Sequence, residues 1–158
     1  MQPRFCYNKR AQETLAAFVN GGRFPHALLL EGPEGSGRRT FAREIAAALF
    51  CRGEHKPCGS CNQCRKVLEQ NHPDVEYYGG DGSRRSFHID TIRQLRQNAW
   101  LLPGEAPCRV CVLCGAENMT DQAQNALLKI LEEPPEHTVF ILTAENRAML
   151  LPTILSRV

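Results

Sequence analysis

The stretch HALLLEG (26–32), running into GPEGSGRRT (32–40) and then FAREIAAALF (41–50), constrains the fold more than any other part of the chain. A short apolar run ending in glycine has the pattern of a strand buried on both faces, as in the interior of a parallel sheet. Phe41, Ile45, Ala48 and Leu49 then recur at helical spacing. The order is strand, glycine loop, helix, and the rest of the chain repeats the alternation. VEYY (75–78), RVCVLC (109–114) and TVFILT (138–143) supply further apolar strands, the first of them broken by the glycine-rich stretch at 79–82. A helix over 10–20 places Leu15, Phe18 and Val19 on one face and closes at Gly21-Gly22. Asp90 is placed to cap a helix over 91–99 with Ile92, Leu95 and Ala99 on one face. Thr120 or Asp121 caps another, with Ala123, Leu127, Ile130 and Leu131 as its stripe and Pro134-Pro135 as its stop. Such alternation predicts an α/β domain in three layers, a parallel sheet with helices on both faces. At 158 residues it fits one domain.

The glycine loop has the frame of a phosphate cradle. Gly32, Gly35 and Gly37 let backbone N–H groups and the following helix N-terminus surround an anion without any particular side chain. The side chains that would complete a nucleotide site are another matter. Arg38 stands where lysine reaches the phosphates, and Arg39 stands where a hydroxyl holds Mg²⁺ and offers no oxygen. Thr40 has the hydroxyl, one residue too late and so about 100° around the helix. Hydrolysis also needs a carboxylate at the end of a neighbouring strand. The strand over 109–114 ends instead in Cys114, Gly115 and Ala116, and Glu117 is the first carboxylate beyond it. The loop therefore reads as a cradle with weak or absent ATP or ADP binding.

Four of the eight cysteines fall within 14 residues, Cys51, Cys58, Cys61 and Cys64, spaced C-x6-C-x2-C-x2-C. The last three lie in PCGSCNQC, where glycine and asparagine permit the turns that bring thiolates around one ion. This predicts a zinc-binding insertion over 51–66. Four protein ligands leave no open position, so the zinc is expected to be structural. His55 lies within the first interval and could replace one cysteine, although a solvent-exposed loop histidine is the simpler reading. Cys108, Cys111 and Cys114 sit on a strand pattern that sends the outer two one way and Cys111 the other, which predicts buried free thiols. Cys6 carries no pattern.

Charge excludes little. Lys and Arg number 19 against 17 Asp and Glu, so the net is +2, and four thiolates with Zn²⁺ would bring it to zero. Arg52, Lys56, Arg65 and Lys66 surround the cysteines, but Glu54 and Glu69 dilute them, so a zinc-dependent DNA-binding module remains the weaker alternative. No apolar run reaches the roughly 18 residues of a membrane span and residues 1–10 lack a signal-peptide core, which leads to a cytoplasmic expectation with no membrane partner.

Taken together, the degenerate loop GPEGSGRRT, the cysteine module, HPDV (72–75), HIDTIRQLR (88–96), NALLKILEEPPEH (125–137) and TILSRV (153–158) resemble the bacterial DNA polymerase III clamp-loader subunits along the whole chain. Within that family the loss of Lys-Thr at Arg38-Arg39, and of Asp-Glu at Cys114-Gly115, resembles the delta-prime branch more than gamma/tau. The resemblance implies a P-loop NTPase-like, AAA+ N-terminal module over 1–158, a piece of a longer chain with helical and collar domains to follow. It implies a non-hydrolysing stator that works with gamma/tau and delta subunits, the sliding clamp and primer-template DNA; a gamma/tau-like ATPase, relying on Arg38 with Thr40 or Glu117, is the alternative. It also implies that Arg157, in Ser156-Arg157-Val158, reaches into a neighbouring subunit's ATP site as an arginine finger. Thr143 matches the polar position after the sensor strand, with a surface hydroxyl as the simpler reading.

Overall fold

Four apolar runs become four strands, and their order in space explains why two of them carry almost no polar residue. The computed structural model describes residues 8–22, 24–79 and 87–158; Cys6 and the glycines of 80–82 lie outside the described residues. Strands β1 (Ala27–Glu31), β2 (Val75–Tyr78), β3 (Arg109–Cys114) and β4 (Thr138–Ala144) pair in parallel in the order β1-β4-β3-β2. The inner strands β3 and β4 are buried along their whole length.

Period-two alternation sorts their side chains between two cores. Cys111, Leu113, Phe140, Leu142 and Ala144 face the layer built from α4 (Ile89–Ala99), α5 (Asp121–Glu132) and α6 (Pro152–Leu155). Val110, Val112, Cys114, Val139 and Ile141 face the layer of α1 (Lys9–Asn20), α2 (Arg38–Phe50) and α3 (Asn62–Leu68). The three-layer expectation holds. So does the split of the second cysteine triplet, since Cys111 joins one core while Cys108 and Cys114 join the other. Each large apolar side chain buried here contributes about 1.5–3 kcal/mol of hydrophobic stabilisation.

Helix ends account for the departures. Asp90 does not cap α4: His88 takes the extended N-cap position, and Asp90 lies in the first turn, paired with Arg93 at 2.8 Å. A carboxylate there still meets the positive end of the helix dipole. Thr120, not Asp121, caps α5, its hydroxyl accepting from the Ala123 N–H. Helix α2 starts at Arg38, so Arg38, Arg39 and Thr40 form its first turn. Helix α3 has no counterpart in the sequence reading. It starts because the Cys61 sulfur accepts from the Cys64 N–H, an N-cap supplied by a thiol, and Asn62 begins the helix instead of turning the chain. Phe18 is more exposed than its periodicity implies and packs edge-on against Phe24. Among the described residues, no helix is long and apolar enough to cross a membrane.

Candidate functional site

The register of the sheet brings the carboxyl ends of β1, β4 and β3 level, with Leu30 beside Thr143 and Thr143 beside Cys114. Clefts at this edge are where parallel α/β sheets bind ligands. The glycine loop springs from it. Gly32 N–H donates to the Ala144 carbonyl at 3.2 Å, and Ser36 N–H closes a turn onto Pro33 at 3.1 Å. Gly35 and Gly37 have φ of +76° and +80°, a left-handed backbone that side chains other than glycine rarely adopt. A Cβ on Gly32 would lie 2.8 Å from the Ser36 hydroxyl, so the loop folds tightly over itself.

Its side chains are engaged with the protein. Arg38, only 16% exposed, places Nη2 3.6 Å from Glu145 Oε1, while its Nη1 is buried without a hydrogen-bond partner. Thr40 Oγ1 accepts from Arg43 Nη2 at 3.5 Å. Arg39 is exposed. At the end of β3 the Cys114 thiol is buried, and Gly115, with φ of +77°, donates its N–H to Thr143 Oγ1 at 3.0 Å. Thr143 is thus a buried tie between β4 and the end of β3, 3% exposed, and the surface-hydroxyl reading is wrong. Glu117 lies past the strand in a 3-10 turn, one carboxylate oxygen buried without a partner. No carboxylate stands at Cys114 or Gly115.

The cysteine module forms a second, separate centre. Sγ atoms of Cys51, Cys58, Cys61 and Cys64 all lie within 4.8 Å of one another, and those of Cys58 and Cys64 are 4.0 Å apart. Tetrahedral zinc with Zn–S of 2.3 Å requires sulfurs about 3.8 Å apart, so this set can hold a metal ion. His55 is exposed and outside the cluster. Backbone amides serve the sulfurs: Gly53 and Cys58 N–H donate to Cys51, Cys61 N–H to Cys58 and Cys64 N–H to Cys61, at 3.3–3.4 Å. Gly59, with φ of +71°, provides the turn among them. The amide of Cys61, with the Ser60 hydroxyl and amide, pulls the Cys58 thiol down to about 5. Burial pushes the Cys64 thiol up. It also pushes Cys108 and Cys111 to about 11 and about 12, and these two thiols lie against opposite cores, apart from the four-sulfur cluster.

Between module and sheet lies a polar network that the sequence reading did not find. His72 is 4% exposed, its ring tilted against Phe50 with centroids 4.7 Å apart, with Nδ1 accepting from the Asp74 N–H and Nε2 on Gln63 Oε1. An accepting Nδ1 requires the neutral Nε2–H tautomer. Asp74 collects the N–H groups of Gly104, Glu105 and Ala106 at 2.7–2.8 Å, and buried Arg109 bridges Asp74 and Glu76. HPDV was visible only as a motif, because its partners are some 30 residues away. Burial holds His72 below the ordinary histidine range, against the raising effect of Asp74 and Glu105. The unfolded chain then takes up a proton as pH falls below about 6.5 while the native ring stays neutral, so stability is lost as pH falls from there. Melting temperature should drop between pH 7 and 5.5 with a slope that flattens in His72→Asn; an unchanged slope would assign the drop to other groups.

Arg157 lies against α5 and α6. Its Nη2 donates to Glu132 Oε1 at 2.8 Å, and its Nη1 to the Thr153 carbonyl at 2.9 Å and Ser156 Oγ at 3.0 Å. Of the basic residues around the cysteines, Lys66 is paired with Glu105.

A parallel three-layer sheet with a glycine loop between its first strand and the next helix defines a P-loop NTPase-like module of the AAA+ type. The chain belongs to the family described as DNA polymerase III, delta subunit, whose profile matches residues 7–158. The delta-prime subunit of DNA polymerase III from Yersinia pestis is 39% identical over 138 residues, 86% of this chain and 41% of its own length. The gamma/tau subunit of Mycobacterium tuberculosis is 35% identical over 145 residues, 90% of this chain and 25% of its own length. A solved structure, the gamma subunit-related protein of Thermotoga maritima, superposes with a TM-score of 0.63 at 28% identity, covering 92% of this chain and 43% of that one. The chain therefore spans less than half the length of these relatives.

Proposed function

We propose that this chain is the N-terminal AAA+ module of a delta-prime stator: a subunit that supports ATP-dependent loading of a sliding clamp onto primer-template DNA without hydrolysing nucleotide itself. Its partners in this reading are the gamma/tau and delta subunits, with clamp and DNA met in the assembly, in the cytoplasm. The single observation that carries it is the end of β3, where Cys114 and Gly115 stand in place of a metal-holding carboxylate and the Gly115 N–H is tied to Thr143. The Arg38–Glu145 pair supports the same conclusion, since the side chain nearest the cradle already has an anionic partner. Arg157 is the one catalytic side chain the module contributes, to a site on its neighbour, where a guanidinium stabilises charge on a transferring phosphoryl group.

Zinc is the ion proposed for Cys51, Cys58, Cys61 and Cys64. Bound there it would neutralise thiolates and staple the end of α2 to α3, with no coordination position left for chemistry. Similarity to gamma/tau subunits favours the ATPase as the second reading. An equilibrium titration of metal-loaded protein with a slowly hydrolysed ATP analogue, with and without Mg²⁺, separates the two. The stator predicts no saturable binding at millimolar nucleotide in either condition. Micromolar binding strengthened by Mg²⁺ would mean that another group replaces the missing hydroxyl and carboxylate, and the ATPase reading would stand.

A further inference from the structure

We infer that Glu132 is the positioning residue for Arg157, fixing its guanidinium so that the remaining donors reach an anion on a neighbouring subunit; the inference rests on the trans-acting role proposed for Arg157. A guanidinium has five N–H donors in a rigid plane. Three are used within this module. Two of those bonds, to the Thr153 carbonyl and Ser156 Oγ, are local to the turn that ends α6 and move with it. The third comes from Glu132, 25 residues earlier on the last turn of α5. Among the described residues, Nε–H and one Nη2–H are left, enough for a two-point fork on a phosphate.

What sets Glu132 apart is the element that carries it. Helix α5 is anchored by Leu127, Ile130 and Leu131 in the same core that Val158 packs against. The helix backbone at Glu132 is therefore a fixed anchor, and an ion pair to its carboxylate restricts the rotamers of a long side chain that its own turn only partly orders. Glu132 and Arg157 side chains are 43% and 33% exposed, so the pair adds little to folding stability. Its consequence is where the guanidinium stands.

The test uses the full-length protein in the complete assembly with its ATPase subunits, clamp and primed DNA, measuring steady-state ATP hydrolysis. Arg157→Ala is expected to lower kcat about tenfold or more. Glu132→Ala should lower kcat about three- to tenfold with KM for ATP unchanged within twofold, because nucleotide is bound by the partner. Glu132→Gln, which retains an acceptor, should recover most of the rate. The double variant should be no slower than Arg157→Ala alone, since Glu132 acts only through Arg157. An additive double variant, or a normal rate in Glu132→Ala beside a slow Arg157→Ala, overturns the inference and leaves the role of Arg157 standing. A normal rate in Arg157→Ala overturns that role and the inference with it. Unchanged melting of the Glu132 variants checks that the fold is intact.

Discussion

Stripping the zinc proposed for the four-cysteine centre, by a strong chelator or by Cys64→Ser, is expected to destabilise the whole domain in one transition. The reason lies in how the ligands are embedded. Cys51 follows directly on Phe50, the last residue of α2, and Cys64 is fully buried, its sulfur 3.6 Å from the Ala47 carbonyl of the same helix. Both belong to the core that also holds Val67, Val110, Val139 and Ile141, so the module and one face of the sheet share a single packed cluster. Without a cation the Cys58 thiol, pulled down to about 5, stays ionised at neutral pH beside three other sulfurs. Structural zinc contributes on the order of 10 kcal/mol to small modules. Whole domains are stable by only about 5–15 kcal/mol. Losing even about 5 kcal/mol would lower the melting temperature by about 10–20 °C at this size. Metal content and calorimetry on matched samples check this. Two separate transitions, with the main one unmoved, would make the module an independent appendage.

The layers of the fold were legible because β3 and β4 are buried on both faces and RVCVLC and TVFILT have almost nothing polar to disguise them. The cysteine centre was legible because its ligands lie within one short interval and local turns suffice to converge them. Contacts that join distant segments were not. Arg38 and Glu145 are more than 100 residues apart, and only the parallel pairing of β1 with β4 brings their ends together. Glu132 looks like the first of two surface glutamates before a proline pair until α6 returns Arg157 to it. The misplaced cap of α4 has a local cause: aspartate is the better capping residue in general, but the chain is already helical at Ile89. Exposed Trp100, Leu101 and Leu102 carry apolar character that periodicity would have buried. They fall where α4 ends and the chain turns into the segment held by Asp74.

That segment leads to the second large effect, which is expected from Asp74→Ala. Asp74 is 1% exposed and accepts from three consecutive backbone amides, Gly104, Glu105 and Ala106, while facing Arg109 Nη1 at 3.8 Å. Alanine removes every acceptor at once, and because Gly104 and Glu105 are exposed and Ala106 half-buried their amides can turn to water, so each lost bond costs about 0.5–1.5 kcal/mol. It also leaves Arg109 with Glu76 as its remaining carboxylate. A total near 3–5 kcal/mol follows, the range for breaking a buried charged pair. Asp74→Asn keeps one oxygen but turns an amide group toward amide donors, so its loss should be intermediate. Burial alone would raise the Asp74 carboxyl, but the three amides outweigh it and hold it below the usual carboxylate range. A depressed native value means the stabilisation is full above the unfolded value of about 3.9 and is lost as pH falls through the native one. Denaturant unfolding should therefore show the largest gap between wild type and Asp74→Asn at pH 7, narrowing as pH falls from about 4 toward the depressed native carboxyl value. Equal stability of the two at pH 7 would mean that the 104–106 amides find other acceptors and that Asp74 does not anchor the connection between α4 and β3.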